Sequence, residues 1–251
     1  MKDRKNKSHI THKYKFFGKD IRYRTSTSDM IMIFEILLKK GINSEYWLPE
    51  LFQPKSILDI GANIGITSIL YSKKYPNSTI HSFEPHPENF SLLDTNTEQY
   101  NNVNCQPYGL GSKYDTASLF IPSDSENFGG GSIYNDLEIN EGKSVKIKIK
   151  YAQSYLSSIL STVPDLIKID TEGAEHEILS SFDQKSLSKT QWITDELHGN
   201  NDFQLLHDFS NIGFNIKLNK EVDNRLCMFR AISDQALSRL TKEEPKQLNR
   251  K

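Results

Sequence analysis

Short apolar runs alternate with longer amphipathic stretches from residue 56 to residue 232. The apolar runs have the length and composition of buried strands, and they are SILDI (56–60), TIHSF (79–83), VNCQP (103–107), DLIKI (165–169), QWITDEL (191–197), FNIKL (214–218) and LCMFRAI (226–232). The stretches with apolar residues at helical spacing are 65–74, 87–99, 173–182 and 202–212. Alternating strands and helices predict a doubly wound α/β fold with a mostly parallel sheet. The short polar turn between the last two strands predicts an antiparallel hairpin at the sheet edge.

The chain outside this alternation forms extensions of one main domain. YKFFGKDIRYR (14–24) has the pattern of a hairpin that turns at Gly18, and a helix is predicted from a Ser28 N-cap to Gly41. A glycine-rich segment, FGGGSI (128–133), lies between two further strand-like runs, ASLFI and VKIKIK. The expected division is 1–50 for the N-terminal extension, 51–233 for the main domain with 112–150 as an insertion over the active site, and 234–251 for a polar tail.

Charge and cysteine content narrow the class of protein. The formal net charge of the 251 residues is −1, so the whole molecule has no bulk attraction to nucleic acid. The first 24 residues are strongly basic, which is typical of a solvated arm or of a contact surface for an anionic substrate. No apolar run approaches the roughly 20 residues of a transmembrane helix. Two cysteines, Cys105 and Cys227, fit a reduced cytoplasmic protein better than a disulfide scaffold.

A glycine turn follows the first buried strand, in LDIGANIGIT (58–67). Its candidate ligand-binding residues are Asp59, Gly61, Asn63, Gly65 and Thr67. Glycines at a strand-to-helix turn let the backbone approach a nucleotide closely. Asparagine stands where a dinucleotide fingerprint has its second glycine, and a P-loop lysine is missing. An acid at the strand end repels phosphate, so the turn favours a cationic nucleoside, for which S-adenosylmethionine is the candidate cofactor.

A second acid follows the next strand, in FEPHP (83–87). Glu84 comes 25 residues after Asp59, about where nucleotide-binding α/β folds place the acid that accepts the ribose hydroxyls. We therefore expect Glu84 and the adjacent Pro85 to contact the cofactor.

ILDIGANIGITS, FEPHPENFSLL and DLIKIDTEGAEHEIL together resemble the FkbM family of S-adenosylmethionine-dependent methyltransferases, over roughly residues 56–182. KIDTEGAE is the most specific part of this resemblance. The resemblance implies a Rossmann-like class I methyltransferase fold with a seven-stranded sheet. It also implies O-methylation of a hydroxyl, often on a sugar or another natural-product precursor, and a role for the Gly-Ser-Ile end of FGGGSI. Ser132 in this end, and Tyr134 after it, are candidates to reach the bound cofactor or acceptor.

The strand DLIKI delivers further acids to the same edge of the predicted sheet. Methyl transfer to a hydroxyl needs alignment of the two reactants and a proton acceptor. We expect Asp170 to contact the cofactor or the acceptor, and Glu172 to act as base or hydroxyl acceptor. His198, at the end of the next strand, is a further candidate base, since its ordinary pKa is near neutral. Glu175 is expected to be an ordinary first-turn acid of a helix.

Other interpretations remain open at this point. Lys168 is either a surface lysine or a partner for one of the acids. We assign no metal site, because no ligand pair stands at metal-binding spacing; Asp170, Glu172, Glu196 and His198 remain an alternative oxygen-rich site. A nicotinamide-dependent oxidoreductase is disfavoured by the broken glycine triplet, and a nucleic-acid-binding module would depend on the basic arm alone. The expected partner is a small-molecule or carbohydrate acceptor, to which the basic arm adds the option of an anionic one.

Overall fold

Seven strands form one sheet at the centre of the computed structural model, which describes residues 10–41, 44–121, 131–133, 143–198, 200–221 and 227–243. These strands, in chain order, are β3 (Ser56–Ile60), β4 (Thr79–Phe83), β5 (Val103–Gln106), β9 (Leu166–Ile169), β10 (Trp192–Leu197), β11 (Phe214–Glu221) and β12 (Cys227–Ser233). Their order across the sheet is β11-β12-β10-β9-β3-β4-β5. The central strands pair in parallel, while β12 is antiparallel to both of its neighbours. The predicted doubly wound sheet and its antiparallel edge hairpin are confirmed.

The main domain contains the four helices that the periodicity predicted, at 65–74, 87–99, 173–182 and 202–212, and two short ones, over 152–159 and 184–187, that it did not predict. Those of the main domain are α2 (Ile66–Lys74), α3 (Pro87–Thr97), α4 (Ala152–Ile159), α5 (Glu175–Ser180), α6 (Gln184–Leu187) and α7 (Asn200–Asn211). Two apolar clusters hold the layers together, one on each face of the sheet. Alternation along β3 divides the residues between them, because Ile57 belongs to one cluster and Leu58 and Ile60 to the other.

The N-terminal extension packs against the main domain. It consists of a hairpin of β1 (Thr11–Phe16) and β2 (Lys19–Arg24), followed by α1 (Asp29–Met32), which continues as a π-helical stretch over Ile33–Leu38. Ser28 is the N-cap residue, as predicted, but its side chain makes no capping bond. Instead, Asp29 is fully buried and accepts hydrogen bonds from the backbone and guanidinium of Arg24. This ion pair anchors the start of the helix to the hairpin.

A second, three-stranded sheet lies beside the ends of the main sheet. It contains β6 (Gly109–Gly111), β7 (Asp115–Ile121) and β8 (Lys143–Tyr151), in the order β6-β8-β7. Both strand-like runs of the predicted insertion therefore form strands and pair with each other antiparallel. Residues 128–130 of the glycine-rich segment between them, and Tyr134, lie outside the described residues.

The C-terminal segment differs from the expected polar tail. Residues Asp234–Glu243 form α8. Ala236 and Leu240 are buried against the sheet, with 1% and 0% exposure. The physical reason is an apolar stripe at helical spacing that the abundance of charged residues hides. Among the described residues, none of the helices is long and apolar enough to cross a membrane.

Candidate functional site

A cavity of about 320 Å³ opens at the carboxyl ends of the central parallel strands. Its polar wall comes from β9, from β10 and from the segments that follow β3, β4 and β9, and it includes Gly61, Asn63, Glu84, Pro85, Lys168, Asp170, Glu172 and Glu196. Its apolar wall comes from the second sheet and the N-terminal helix and includes Ile31, Ile36, Leu119, Ile147 and Ile149. Ligands of open α/β sheets bind in this position, outside the carboxyl ends of the strands.

The turn after β3 has a backbone that only small residues tolerate. Gly61 has a φ of 74°, and a Cβ at this position would lie 1.8 Å from the backbone oxygen of Asp170. Asn63 also has a positive φ, of 48°. Gly65, with a φ of 90°, begins α2. The glycine pattern therefore serves two purposes, since it allows the turn and lets the β9 end approach it.

Glu84 is held with its carboxylate in a fixed orientation at the cavity wall. Oε2 accepts the backbone N–H of Asn63 at 2.8 Å, and Oε1 accepts that of His86 at 2.8 Å. Burial raises the pKa of this carboxyl to about 7, although the two N–H bonds act in the opposite direction. A carboxylate offers about four acceptor positions. Two of them are used here, so each oxygen retains one for a ligand.

Asn63 supplies a further polar atom to the same wall. Its side chain is 8% exposed, and its Oδ1 accepts no hydrogen bond from the described residues. Its Nδ2 lies 3.2 Å from the sulfur of Met32. A buried carbonyl oxygen without a donor is rare in proteins. The cavity wall thus carries an acceptor that a ligand with an N–H or O–H group would satisfy.

Asp59 does not line the cavity, contrary to what its position at the end of β3 led us to expect. It is fully buried, accepts a hydrogen bond from Ser68 at 2.6 Å, and lies 3.3 Å from Nζ of Lys168. The cation that Asp59 meets is therefore internal. Gly65 and Thr67 also lie outside the lining, whereas the other cofactor candidates, Gly61, Asn63, Glu84, Pro85 and Asp170, belong to it.

Lys168, on β9, contacts β3 and the glycine turn that follows it from inside the sheet. It is 2% exposed, so the interpretation as a surface lysine is wrong. It pairs in register with Asp59 on the adjacent strand, and its Nζ donates to the backbone oxygen of Gly61 at 2.7 Å. Burial lowers the pKa of Lys168, but Asp59 and the nearby acids together raise it. The lysine therefore holds the glycine turn as a permanent cation.

The segment after β9 is a tight turn with several fixed groups. Asp170 accepts a hydrogen bond from the hydroxyl of Tyr46 at 3.0 Å. Glu172 has a positive φ of 58°, which is uncommon outside glycine. Glu175 is fully buried, and its carboxylate accepts the backbone N–H groups of Thr171 and Gly173. Beyond its expected place in the first turn of α5, Glu175 thus fixes the loop that carries the candidate catalytic acids.

His198 lies between two of these acids. Its Nε2 is 3.3 Å from Oε2 of Glu172, and its Nδ1 is 3.4 Å from Oε1 of Glu175. Burial lowers the pKa of His198, but Glu175, Asp170 and Glu172 outweigh it and raise the pKa to about 10. The expectation of a near-neutral histidine is therefore wrong in this arrangement. Burial and the charge of Asp170 also raise the pKa of Glu172, to about 8.

Two further contacts near this turn could not be inferred from spacing. Tyr46 comes from the N-terminal extension, 124 residues from its partner Asp170, and nothing in EYWLP indicates this contact. Ser132, for which the family resemblance implied a role, donates to the backbone oxygen of Glu172 at 2.7 Å. The glycine-rich segment thus reaches the turn that carries the acids.

A seven-stranded sheet of this order, with a glycine turn after its first strand and an acid after its second, defines the Rossmann-like class I methyltransferase fold. A family model described as the methyltransferase FkbM domain matches residues 59–227. The chain belongs to this family.

Comparisons with individual proteins agree with this assignment. Methyltransferase 1 of Beauveria bassiana is 32% identical over 146 residues, which cover 51% of this chain and 59% of that protein. The hexuronic acid methyltransferase AglP of Haloferax volcanii is 28% identical over 152 residues, which cover 60% of this chain and 59% of that protein. The chain thus spans about three fifths of the length of the curated relatives it matches.

A solved structure supports the fold alone. The Methanococcus jannaschii fibrillarin pre-rRNA processing protein matches with a TM-score of 0.50 and 13% identity, over 92% of this chain and 86% of that chain.

Proposed function

We propose that this protein is an S-adenosylmethionine-dependent methyltransferase that methylates a hydroxyl group of a small polar acceptor, most plausibly a sugar. The observation that carries the proposal is that Glu84, Asn63, Asp170 and Glu172 all line the polar wall of one cavity. Family membership supports the methyltransferase chemistry.

The residues of the glycine turn after β3 and of the FEPHP segment after β4 fit the cofactor. Glu84 has one open acceptor position on each carboxylate oxygen, which suits the two adjacent hydroxyls of a ribose. Oδ1 of Asn63 is an open acceptor within the same wall. No Cβ stands at Gly61 to separate the ligand from the backbone. When bound, the cofactor supplies a methyl group on a positively charged sulfur, for which an acid-lined cavity is favourable.

The residues that follow β9, together with His198 after β10, receive the acceptor. Glu172 lines the cavity and its side chain is 34% exposed, so an acceptor hydroxyl can reach it and transfer its proton. Asp170 is oriented by Tyr46 and can accept a hydrogen bond from the acceptor. His198 contacts Glu172 through Nε2 and the buried Glu175 through Nδ1, so it holds Glu172 in position. We propose these three roles for Asp170, Glu172 and His198.

A carbohydrate acceptor is supported by one relative. AglP is named as a hexuronic acid methyltransferase, and a cavity with several carboxylates offers the acceptors that sugar hydroxyls need. Met30, Ile31 and Phe34 stand exposed on the helix of the N-terminal extension, and Ile31 also lines the cavity. An acceptor with both hydroxylated and apolar faces fits these two walls.

Two measurements test the proposal. Calorimetric titration with S-adenosylhomocysteine should show one site per chain, and Glu84→Ala should weaken it at least tenfold, because the ribose loses both acceptors. Glu88→Ala is the matched control, since Glu88 is exposed on the first turn of α3. A screen of sugars and nucleotide sugars with methyl-labelled cofactor then identifies the acceptor. No binding of S-adenosylhomocysteine, or equal binding by Glu84→Ala, would refute the cofactor assignment.

A further inference from the structure

Three side chains of metal-binding type converge at the acceptor side of the cavity. Asp170, Glu196 and His198 each offer one ligand atom, and these atoms all lie within 4.8 Å of one another. The sheet explains the convergence, because β9 and β10 are parallel and in register, with Lys168 beside Thr194. Side chains two and four residues further along then project from the same face at the same edge. The sequence left Asp170, Glu172, Glu196 and His198 open as an alternative oxygen-rich site, and the fold brings three of these four together.

We propose that Asp170, Glu196 and His198 bind a divalent cation of the Mg²⁺ or Mn²⁺ type, which holds the oxygens of the acceptor. Carboxylate oxygens suit both ions, and one imidazole is well tolerated by Mn²⁺. Ligand atoms on opposite sides of an ion with bonds of roughly 2.1 Å stand about 4.2 Å apart. Ligand atoms at neighbouring positions stand about 3.0 Å apart, so the three side chains, whose atoms lie within 4.8 Å of one another, need to draw together to bind one ion.

A second observation outside this group points to the same ligand. Nδ1 of His198 lies 3.4 Å from Oε1 of Glu175, which is fully buried and fixed by backbone N–H groups. A histidine that binds a metal nearly always directs its other nitrogen to a carboxylate or carbonyl, which sets its tautomer and ring orientation. Glu175 occupies that position. Nε2 is thereby directed to the side where Glu172 lies at 3.3 Å, and a bound cation would displace the Nε2 proton and take over this contact.

The charges around the group favour a cation as well. Asp170, Glu172 and Glu196 all line the same cavity. The buried lysine nearby, Lys168, is already paired with Asp59. Like charges brought together in a partly buried space repel one another, and a divalent ion offsets this repulsion. Asp170 can both keep its hydrogen bond from Tyr46 and bind an ion, because a carboxylate has two oxygens.

The inference rests on the proposed function and specifies its acceptor. Three protein ligands leave up to three positions of an octahedral ion open. Two neighbouring oxygens of one molecule, such as the adjacent hydroxyls of a sugar, would fill two of them. The cation would therefore select acceptors with vicinal oxygens over isolated alcohols, and Glu172 would be released from Nε2 of His198 to face the acceptor.

Mn²⁺ binding to the full chain tests the site without any acceptor. After treatment with a chelator and its removal, the protein is titrated with Mn²⁺ while the electron paramagnetic resonance signal of the free ion is followed. One bound ion per chain is expected, and added Mg²⁺ should displace it. Glu196→Gln should weaken the binding at least tenfold, and so should His198→Gln. Glu88→Gln, an exposed acid outside the group, should bind Mn²⁺ as the wild type does.

The outcomes separate this inference from the proposed function. Calorimetric titration with S-adenosylhomocysteine is run on the same samples, and Glu196→Gln should retain the wild-type affinity within about twofold, because Glu196 belongs to the acceptor side. Bound S-adenosylhomocysteine without bound Mn²⁺ would overturn the metal site alone. Mn²⁺ binding that is equal in wild type, Glu196→Gln and His198→Gln would also overturn it. Because the stoichiometry of the wild type is measured independently, poor folding of one variant does not prevent this test.

Discussion

Glu84 gives the sharpest prediction, because its ionisation should control cofactor binding within an accessible pH range. Burial raises the pKa of this carboxyl from an ordinary 4.5 to about 7. The ribose hydroxyls need the ionised form, which presents two open acceptor positions beside the bonds from Asn63 and His86. Lowering the pH from 8 to 6 therefore removes the binding-competent state without any mutation.

The size of the effect follows from the ionised fraction. With a pKa of about 7, Glu84 is mostly ionised at pH 8 and about one-tenth ionised at pH 6. The apparent Kd is the intrinsic Kd divided by the competent fraction. The Kd for S-adenosylhomocysteine should thus rise about tenfold over these two pH units. The ligand adds little to this slope, since its own amino and carboxyl groups titrate outside the range.

The same shift in pKa predicts the opposite trend for the stability of the ligand-free protein. The folded state holds the proton of Glu84 more tightly than the unfolded state does, so the folding free energy becomes less favourable as the pH rises from 4.5 to about 7. A difference of about 2.5 pKa units corresponds to about 3 kcal/mol at order-of-magnitude accuracy. Urea denaturation of the ligand-free protein across this range measures it. Cofactor affinity and stability should therefore change in opposite directions.

Glu84→Gln separates this group from others that titrate nearby. The variant should bind more weakly at pH 8, because its amide group faces a backbone N–H, and its Kd should lose the tenfold pH dependence. Glu88→Gln should keep the wild-type slope. If wild type and Glu84→Gln showed the same slope in calorimetric titrations at pH 8, 7 and 6, the assignment of this carboxylate to the ribose would be wrong.

Two further substitutions test the scaffold of the site by urea denaturation. Gly61→Ala should lower the free energy of unfolding by more than about 3 kcal/mol, because its Cβ would lie 1.8 Å from a backbone oxygen. Gly18→Ala, at a similar φ of 80° but with no atom within 4 Å, should lower it by only about 1 kcal/mol, and equal effects would refute the steric argument. Asp29→Asn should destabilise by about 4 kcal/mol, because Arg24 stays buried without its charge partner. The exposed Asp20 is its control, and Asp20→Asn should not differ measurably from wild type.

Hydrophobic periodicity was sufficient for the central sheet and for the helices that follow four of its strands. Strands such as SILDI and TIHSF begin and end where the apolar runs do, because flanking polar and glycine residues mark their limits. Periodicity failed where polar composition masks it. The helix at 234–243 keeps only a narrow apolar stripe among charged residues. A separate difference is that the single turn of α1 continues with π-helical rather than α-helical geometry.

The site was predictable only in part, for a physical reason. Position at a strand end places a side chain near the cavity, but it does not tell whether the charge is already compensated inside the protein. Glu84 is held by backbone N–H groups and keeps open acceptor positions, whereas Asp59, one residue before the end of β3, is paired with Lys168. Long-range partners carry no local signal, and Tyr46 could not be connected with Asp170 from sequence spacing.

The contacts of Lys168 also change how the two motifs should be understood. Its Nζ holds the oxygen of Gly61, and the backbone oxygen of Asp170 occupies the space that a side chain at Gly61 would fill. The KIDTEGAE segment therefore shapes the glycine turn that we propose binds the cofactor, and it also supplies the acids of the proposed acceptor side. Residues that share contacts in this way are not energetically independent. Lys168 donates to the glycine turn, and the lack of a side chain at Gly61 lets the end of β9 lie against that turn. The position of the glycine turn and the position of the candidate catalytic acids are therefore set together.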